Sequence, residues 1–250
     1  MADSTMRSKL SVHSPRSRLE QPHFLQAFLE ATVKQQVDSA VGETLSELLW
    51  KENFDMAGKA WDTQYIQGMA FGTLDPRAFG HYTVQDAAYC KSSTDNLKFL
   101  VDKMDDDSLK KFFEGRYESY KRYTKELYDQ WFLKPDGADL GKAAKWYVDL
   151  EYKVAQEGGL YYLVAMIPCL RLWPYLAKKM KAEDGNIYKF WIDENGSFHG
   201  AEKVEKVVNA HASSIDSQKA SRIYRKCMYG EVNFFRSACG QPLLNIPTDQ

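Results

Sequence analysis

The chain has 250 residues and a formal net charge of −1, with 44% hydrophobic and 27% charged residues. This balance is typical of a soluble globular protein and disfavours an intrinsically disordered one. Because no sequence-wide basic field exists, we expect neither nucleic acid nor an anionic membrane as a partner. The four cysteines form no CxxC pair and no zinc-like cluster with histidines, which favours a reduced, cytoplasmic protein.

The first twenty residues differ in composition from the rest of the chain. Residues 1–20 are rich in serine and arginine, hold few acids and lack the apolar core of a secretory signal. We interpret this stretch as a disordered N-terminal tail that precedes one helical domain at residues 21–250. The same composition also fits an organellar transit peptide, an alternative that composition alone leaves open.

Apolar residues recur at three- and four-residue steps in almost every segment, so the sequence predicts an all-α protein. The pattern predicts helices at about Phe24–Ala31, Leu45–Met69, Pro76–Met104, Leu109–Phe132, Leu140–Gln156, Gly159–Ala182 and Ile187–Asp193, and a long pair between Ala201 and Cys239. The run Asp105–Ser108 is typical of a helix cap, and the charged, aromatic helix that follows is expected at the periphery. The most apolar segment, Gly159–Leu172, is shorter than the roughly 20 residues of a membrane span and contains Arg171, which indicates a buried helix.

The sequence motifs do not favour a metal site or a nucleotide-binding site. The chain has no Walker A sequence, and its helical glycines do not follow a strand. A helical di-iron site needs inward Glu-x-x-His steps, and the one such step, Glu20/His23, is interrupted by Pro22. We therefore predict no metal site.

Three segments carry residue types suited to catalysis. In the first, Asp86 and Tyr89 lie three residues apart, so both can point from one face of a helix. An inward carboxylate there is either a satisfied structural acid or a group that awaits a ligand's amine. In the second, Pro168 interrupts an apolar helix directly before Cys169, with Trp173 one turn further on. A kink at a thiol indicates a cavity wall, although a buried cysteine is more often inert packing.

The third segment contains Glu231 on the aromatic stripe of the last helix. Tyr224, Phe234 and Phe235 flank it at helical spacings, so the carboxyl belongs to the apolar face. A glutamate in that position needs a partner or acquires a raised pKa. Raised carboxyl pKa values are what general acid/base catalysis near neutrality requires.

Taken together, these segments resemble the TenA family, whose members include thiaminase II. The resemblance rests on Gly-Thr-Leu followed by Phe-x-x-Tyr-x-x-Gln-Asp, on Pro-Cys, on Tyr-Lys-Phe-Trp-Ile-Asp and on a late Glu-x-x-Phe-Phe, in that order, over about Leu45–Ala238. It implies a heme-oxygenase-like helical bundle, assembled as a tetramer or dimer, with no cofactor. It also implies a small-molecule substrate, thiamin or another aminopyrimidine.

The resemblance assigns roles to individual residues. Cys169 matches the family's nucleophile and Glu231 its acid/base, while Asp86, Tyr89, Tyr147 and Trp173 match substrate-binding positions. The family usually has tyrosine where this chain has Trp173 and Asn195, and the match at Tyr147 is displaced by one residue in an alternative that uses Trp146. The implied reaction is cleavage of an aminopyrimidine C–N bond, with water or another base as acceptor. The departures leave open a non-catalytic protein that binds thiamin or an aminopyrimidine on the same fold.

Overall fold

Aspartate side chains mark three of the helix starts in the computed structural model, which describes residues 42–134 and 139–247. Asp75, Asp106 and Asp216 each accept a hydrogen bond from a backbone amide two or three residues further on, at 2.8, 2.8 and 2.9 Å. Such caps satisfy amides that have no partner within the helix, so the helix begins at a defined residue. The capping role expected of Asp105–Ser108 is confirmed at Asp106.

The described residues form ten α-helices and one 3-10 turn, and they contain no β-strand. The helices are α1 (Leu45–Glu52), α2 (Phe54–Trp61), α3 (Gln64–Ala70), α4 (Pro76–Lys103), α5 (Asp107–Gln130), α6 (Lys142–Glu157), α7 (Gly159–Met180), α8 (Lys189–Glu194), α9 (His199–Ala210) and α10 (Ser217–Ala238). The all-α fold class is therefore confirmed.

The prediction of a single helix at Leu45–Met69 is wrong, because this range is divided into the three helices α1, α2 and α3. At the first break the Asn53 side chain donates to the Leu49 carbonyl at 2.8 Å. At the second break Thr63 adopts an extended conformation, and its hydroxyl donates to the Ala60 carbonyl at 2.7 Å. Asparagine and threonine side chains compete in this way with helical hydrogen bonds, which a periodicity of apolar residues does not reveal.

Helix α7 forms the centre of the bundle, with α10, α9 and α6 packed around it. It is the one helix among the described residues that is long and apolar enough to cross a membrane. Two thirds of its most apolar stretch (67%) is buried inside the protein, as expected of a core helix. Pro168 and Pro174 both lie within it, so each leaves a carbonyl one turn earlier without its helical donor.

The side chain of Gln85 ties α4 to the start of α6. Its amide donates to the Asp139 carbonyl at 3.0 Å, and its oxygen accepts from the Gly141 amide at 2.6 Å. Because Gln85 satisfies the backbone on both sides of Leu140, it fixes where α6 begins relative to α4. Gln85, the glutamine of the Gln85–Asp86 pair, therefore has a structural role in joining these two helices.

A close approach between α6 and α10 requires a residue without a side chain. A Cβ atom at Gly230 would lie 2.7 Å from the Tyr147 ring, well inside the distance that carbon atoms tolerate. Tyr147 is fully buried there, at 1% exposure. The absence of a side chain at Gly230 therefore allows the Tyr147 ring to pack beside the next residue, Glu231.

Two expectations fall outside the described residues. They are the tail at residues 1–20 and the helix at about Phe24–Ala31. Residues 44–134 and 139–247 belong to a single compact unit, whereas the expected domain start at residue 21 precedes the described part of the chain.

Replacement of Gly230 by alanine is expected to lower the free energy of unfolding by about 1–3 kcal/mol, because the new methyl group overpacks the Tyr147 ring. The matched control is Gly115→Ala in α5, where a Cβ would meet no atom within 4 Å. That change should stabilise the protein by about 0.5–1 kcal/mol, because alanine favours a helix over glycine. Urea unfolding of both variants checks the pair, and equal effects would contradict the close contact.

Candidate active site

A cavity of about 340 Å³ opens between α4, α5, α7 and the segment that joins α8 to α9. Its inner end reaches α6 and α10. The lining combines apolar, aromatic and charged residues: Asp86, Tyr89, Cys90, Arg116, Ser119, Tyr120, Arg122, Tyr123, Glu126, Cys169, Leu170, Trp173, Pro174, Trp191, Glu194, Asn195, Ser197 and Gly200. A narrow extension is lined by Tyr82, Asp86, Tyr89, Tyr147, Cys169, Glu231 and Phe234. The cavity is large enough for a small heteroaromatic ligand.

A thiol and a carboxyl meet at the inner end. The Cys169 thiol and the Glu231 carboxyl line the same narrow extension, and the Tyr147 hydroxyl donates to Glu231 Oε1 at 2.9 Å. Glu231 is 4% exposed and Tyr147 1%, so water has little access to this carboxyl and this phenol. Three helices, α6, α7 and α10, contribute one residue each.

Asp86 lies in both parts of the cavity. Within the described residues no hydrogen bond or ion pair joins its carboxylate to another side chain or to the backbone. Of the two interpretations left open by the sequence, the geometry does not support a satisfied structural acid. A partly buried carboxylate without donors is suited to accept them from a ligand.

Burial raises the pKa of the acidic groups at the inner end of the cavity. It raises the pKa of Glu231 to about 8, and the charges of Glu151 and Asp86 add to this rise. The hydrogen bond from Tyr147 acts in the opposite direction and lowers the pKa of Glu231. Burial also raises the pKa of Asp86 to about 7 and that of the Cys169 thiol well above its ordinary value. The thiol is therefore protonated in the resting site, and a neighbouring base is required to activate it.

Aromatic rings form the walls. Trp173 packs edge-on against Tyr82, Trp191 and Phe235, with ring centroids 6.0, 6.4 and 5.4 Å apart. Tyr89 packs against Tyr147 at 5.0 Å. Such edge-on and tilted pairs are stable arrangements that hold flat walls rigidly.

All six residues singled out from the sequence lie at this one cavity: Cys169, Glu231, Asp86, Tyr89, Tyr147 and Trp173. Asn195 also lines it, and its amide donates to the Trp191 carbonyl at 2.9 Å. Of the two neighbouring residues considered for one position, Tyr147 lines the cavity, whereas Trp146 lines a separate groove. The catalytic and binding roles themselves stay predictions.

Two contributions to the cavity were not predicted from the sequence. Helix α5, expected at the periphery, does expose most of its charged residues, yet Arg116, Tyr120 and Tyr123 line the mouth of the cavity. The aromatic residues that recur along one side of α5 were the available signal. Glu151 in α6 was also missed, although it lies one turn after Tyr147 and is 1% exposed.

No group of three His, Cys, Asp or Glu side chains within residues 42–134 and 139–247 is arranged to hold a metal ion.

Comparisons with known proteins agree with the fold. A family model described as the TENA/THI-4/PQQC family matches residues 64–241. A curated relative, the aminopyrimidine aminohydrolase of Staphylococcus aureus (strain bovine RF122 / ET3-1), is 26% identical over 159 residues. That match covers 55% of this chain, and the chain spans about 65% of the length of that relative.

Solved structures share the fold at low sequence identity. A TenA homologue from Pyrococcus furiosus superimposes with a TM-score of 0.69 at 20% identity, over 78% of this chain and 99% of that one. A structure described as a TenA-like thiaminase candidate from Sulfolobus solfataricus P2 gives 0.64 at 18% identity, over 82% of this chain and 100% of that one. The heme-oxygenase-like bundle implied by the resemblance is therefore confirmed.

The raised carboxyl pKa values predict a stability that falls with rising pH. Between about pH 5 and about pH 8 the native protein holds protons on Asp86 and Glu231 that the unfolded chain has lost, so the free energy of unfolding decreases as the pH rises. Glu231→Gln should flatten this dependence by up to about 1.4 kcal/mol per pH unit, the value of one proton.

The measurement is urea unfolding of wild type and variant across that pH range. Glu202→Gln, on the exposed side of α9, is the control and should leave the slope unchanged. An equally steep slope in Glu231→Gln would show that Glu231 is ionised in the native state.

Proposed function

Because the chain belongs to the TENA/THI-4/PQQC family, we propose that it is a thiaminase-type enzyme that cleaves a C–N bond of thiamin or a related aminopyrimidine. The observation that carries the proposal is that Cys169 and Glu231 line the same narrow end of the cavity as Asp86, whose carboxylate has no partner among the described residues. The name of the S. aureus relative, aminopyrimidine aminohydrolase, supports the same class of substrate.

Recognition of the aminopyrimidine follows from the donors and acceptors that the cavity offers. Asp86 presents a carboxylate with free lone pairs, which suits the N–H groups of an exocyclic amine. The rings of Tyr89 and Phe234 flank the narrow inner end and suit a flat heteroaromatic ring. A ring held in this way would present its electron-poor carbon towards Cys169.

The first chemical step uses the contact between thiol and carboxyl. Glu231, as the carboxylate, takes the proton of Cys169, and the resulting thiolate adds to the electron-poor pyrimidine carbon. The protonated Glu231 then gives that proton to a ring nitrogen, so the negative charge never accumulates on the ring. A pKa of about 8 suits both roles of this group near neutrality.

The second step breaks the C–N bond at the methylene carbon attached to the ring. Loss of aromaticity lets electrons from the ring expel the group on the methylene, either a thiazole or an amine, which leaves with its bonding pair. Water or another base then adds to the methylene carbon. Glu231 takes the proton of the attacking water and returns it to the sulfur as the C–S bond breaks, which restores the thiol and the aromatic ring. The proton left on the ring nitrogen goes to solvent or to the departing amine.

Cys169→Ala is expected to abolish turnover, because Cys169 is the thiol that lines the narrow extension together with Glu231. Glu231→Gln should reduce kcat by about 10²–10⁴-fold, the usual contribution of a general acid/base. The assay incubates each purified protein with thiamin and with free aminopyrimidines, with and without an added amine, and identifies the products by mass. Cys239→Ala, far from the cavity in the groove at α3, is the matched control and should keep full activity.

Turnover by Cys169→Ala at the wild-type rate would eliminate covalent catalysis by this residue. Equilibrium binding of an aminopyrimidine by the wild type without any product would favour the non-catalytic binding protein. The products formed in the presence of the amine distinguish hydrolysis from base exchange.

Asp86→Asn is expected to lower kcat/KM for an aminopyrimidine by about 10–100-fold, because a hydrogen bond to a charged group is lost. The asparagine amide would also direct a donor at the amine of the ligand. Asp95→Asn, on the same helix but exposed and paired with Lys91, provides the control. Steady-state kinetics of the two variants test the assignment, which fails if both retain the wild-type kcat/KM.

A further inference from the structure

Glu151 occupies a position behind the cavity wall that the proposed reaction does not use. It lies on α6, one turn after Tyr147, and is 1% exposed. Its Oε1 atom accepts from the Tyr89 hydroxyl at 2.6 Å, and its Oε2 atom accepts from Ser93 Oγ at 3.1 Å. Both oxygens of this buried carboxyl are thus held by side chains of α4.

Two tyrosine–glutamate pairs lie side by side and link three helices. Tyr89 of α4 donates to Glu151 of α6, and Tyr147 of α6 donates to Glu231 of α10. The rings of Tyr89 and Tyr147 pack against each other with centroids 5.0 Å apart and planes inclined by 33°. A shift of one ring therefore displaces the other, and with it the hydroxyl that holds Glu231.

The geometry points to Glu151 as a positioning residue for the proposed reaction: by accepting the hydrogen bond from the Tyr89 hydroxyl, it fixes the two packed tyrosines and thereby the placement of Glu231 beside Cys169. Glu151 does not line the cavity, so it acts through Tyr89 and not on the substrate. The inference rests on the proposed function, since it concerns the same thiol and carboxyl.

An ordinary structural role would have a different signature. Removal of a buried hydrogen-bond acceptor commonly lowers stability, whatever its distance from a reactive group. A positioning role additionally predicts a loss of rate, because small misplacements of a catalytic group reduce kcat far more than they reduce stability. It also predicts that an isosteric acceptor restores the rate.

The test compares Glu151→Leu, which removes the acceptor, with Glu151→Gln, which keeps one. The glutamine oxygen can still accept from Tyr89, and its NH₂ group can donate to Ser93 Oγ, because a hydroxyl both donates and accepts. We expect Glu151→Leu to lower kcat at least about tenfold with a smaller change in KM, and Glu151→Gln to stay within about threefold of wild type. Tyr89→Phe should reproduce the loss, and the double variant Glu151→Leu/Tyr89→Phe should be no worse than the stronger single variant.

A second measurement is independent of the substrate. The rate at which iodoacetamide alkylates Cys169, followed by mass spectrometry, reports whether Glu231 still accepts the thiol proton. We expect alkylation to slow several-fold in Glu151→Leu and Tyr89→Phe and to stay at the wild-type rate in Glu151→Gln. If Glu151→Leu does not fold, Tyr89→Phe and Glu151→Gln decide the question by the same two readouts.

The outcomes separate this inference from the proposed function. A wild type that turns over no aminopyrimidine overturns the proposed function, and the alkylation rates still decide the role of Glu151. Wild-type kcat and alkylation in Glu151→Leu, or losses that multiply in the double variant, would overturn the positioning role. Loss of rate in Glu151→Gln equal to that in Glu151→Leu would likewise overturn it, because the charge and not the acceptor would then be required.

Discussion

The hydrogen bond from the Tyr147 hydroxyl to Glu231 is the contact on which the rest of the cavity depends. It joins α6 to α10 at 2.9 Å, and it forms only because Gly230 leaves room for the ring. The glutamate held in this way lies beside Cys169 of the central helix. A buried carboxyl without such a partner would be costly, so the same bond stabilises the fold and orients the acid.

Desolvation determines how the inner cavity responds to protons. The residues that line its narrow end include three ionisable acids or thiols, Asp86, Cys169 and Glu231, and no lysine or arginine. Burial therefore raises the pKa of all three groups, and neighbouring negative charges add to the rise for Cys169 and Glu231. The outcome is a set of groups that hold protons near neutrality and can exchange them with a bound ring. The basic side chains Arg116 and Arg122 lie further out, at the mouth.

Much of the fold could be predicted from periodicity and caps, since these are local properties of the chain. Asp75 before Pro76 and Asp106 before Asp107 mark helix starts through bonds that span two or three residues. The helix breaks at Asn53 and Thr63 were not predicted. Each of these side chains can hydrogen-bond to a nearby backbone carbonyl and so compete with the helical hydrogen bonds, and packing against neighbouring helices decides which arrangement forms. The same holds for α5, whose aromatic stripe was visible while its position at the cavity mouth was not.

By itself the sequence determined the helices, the buried character of α7, and the ordered motifs that place Asp86, Cys169 and Glu231 in a recognisable pattern. Only the tertiary structure decided that these residues share one cavity, that Asp86 has no partner, and that Tyr147 and not Trp146 holds the glutamate. It alone identified Glu151 as the second buried carboxyl. The physical reason is that hydrogen bonds between side chains 62 or 84 residues apart depend on how helices pack, and no local pattern in a single sequence encodes that distance.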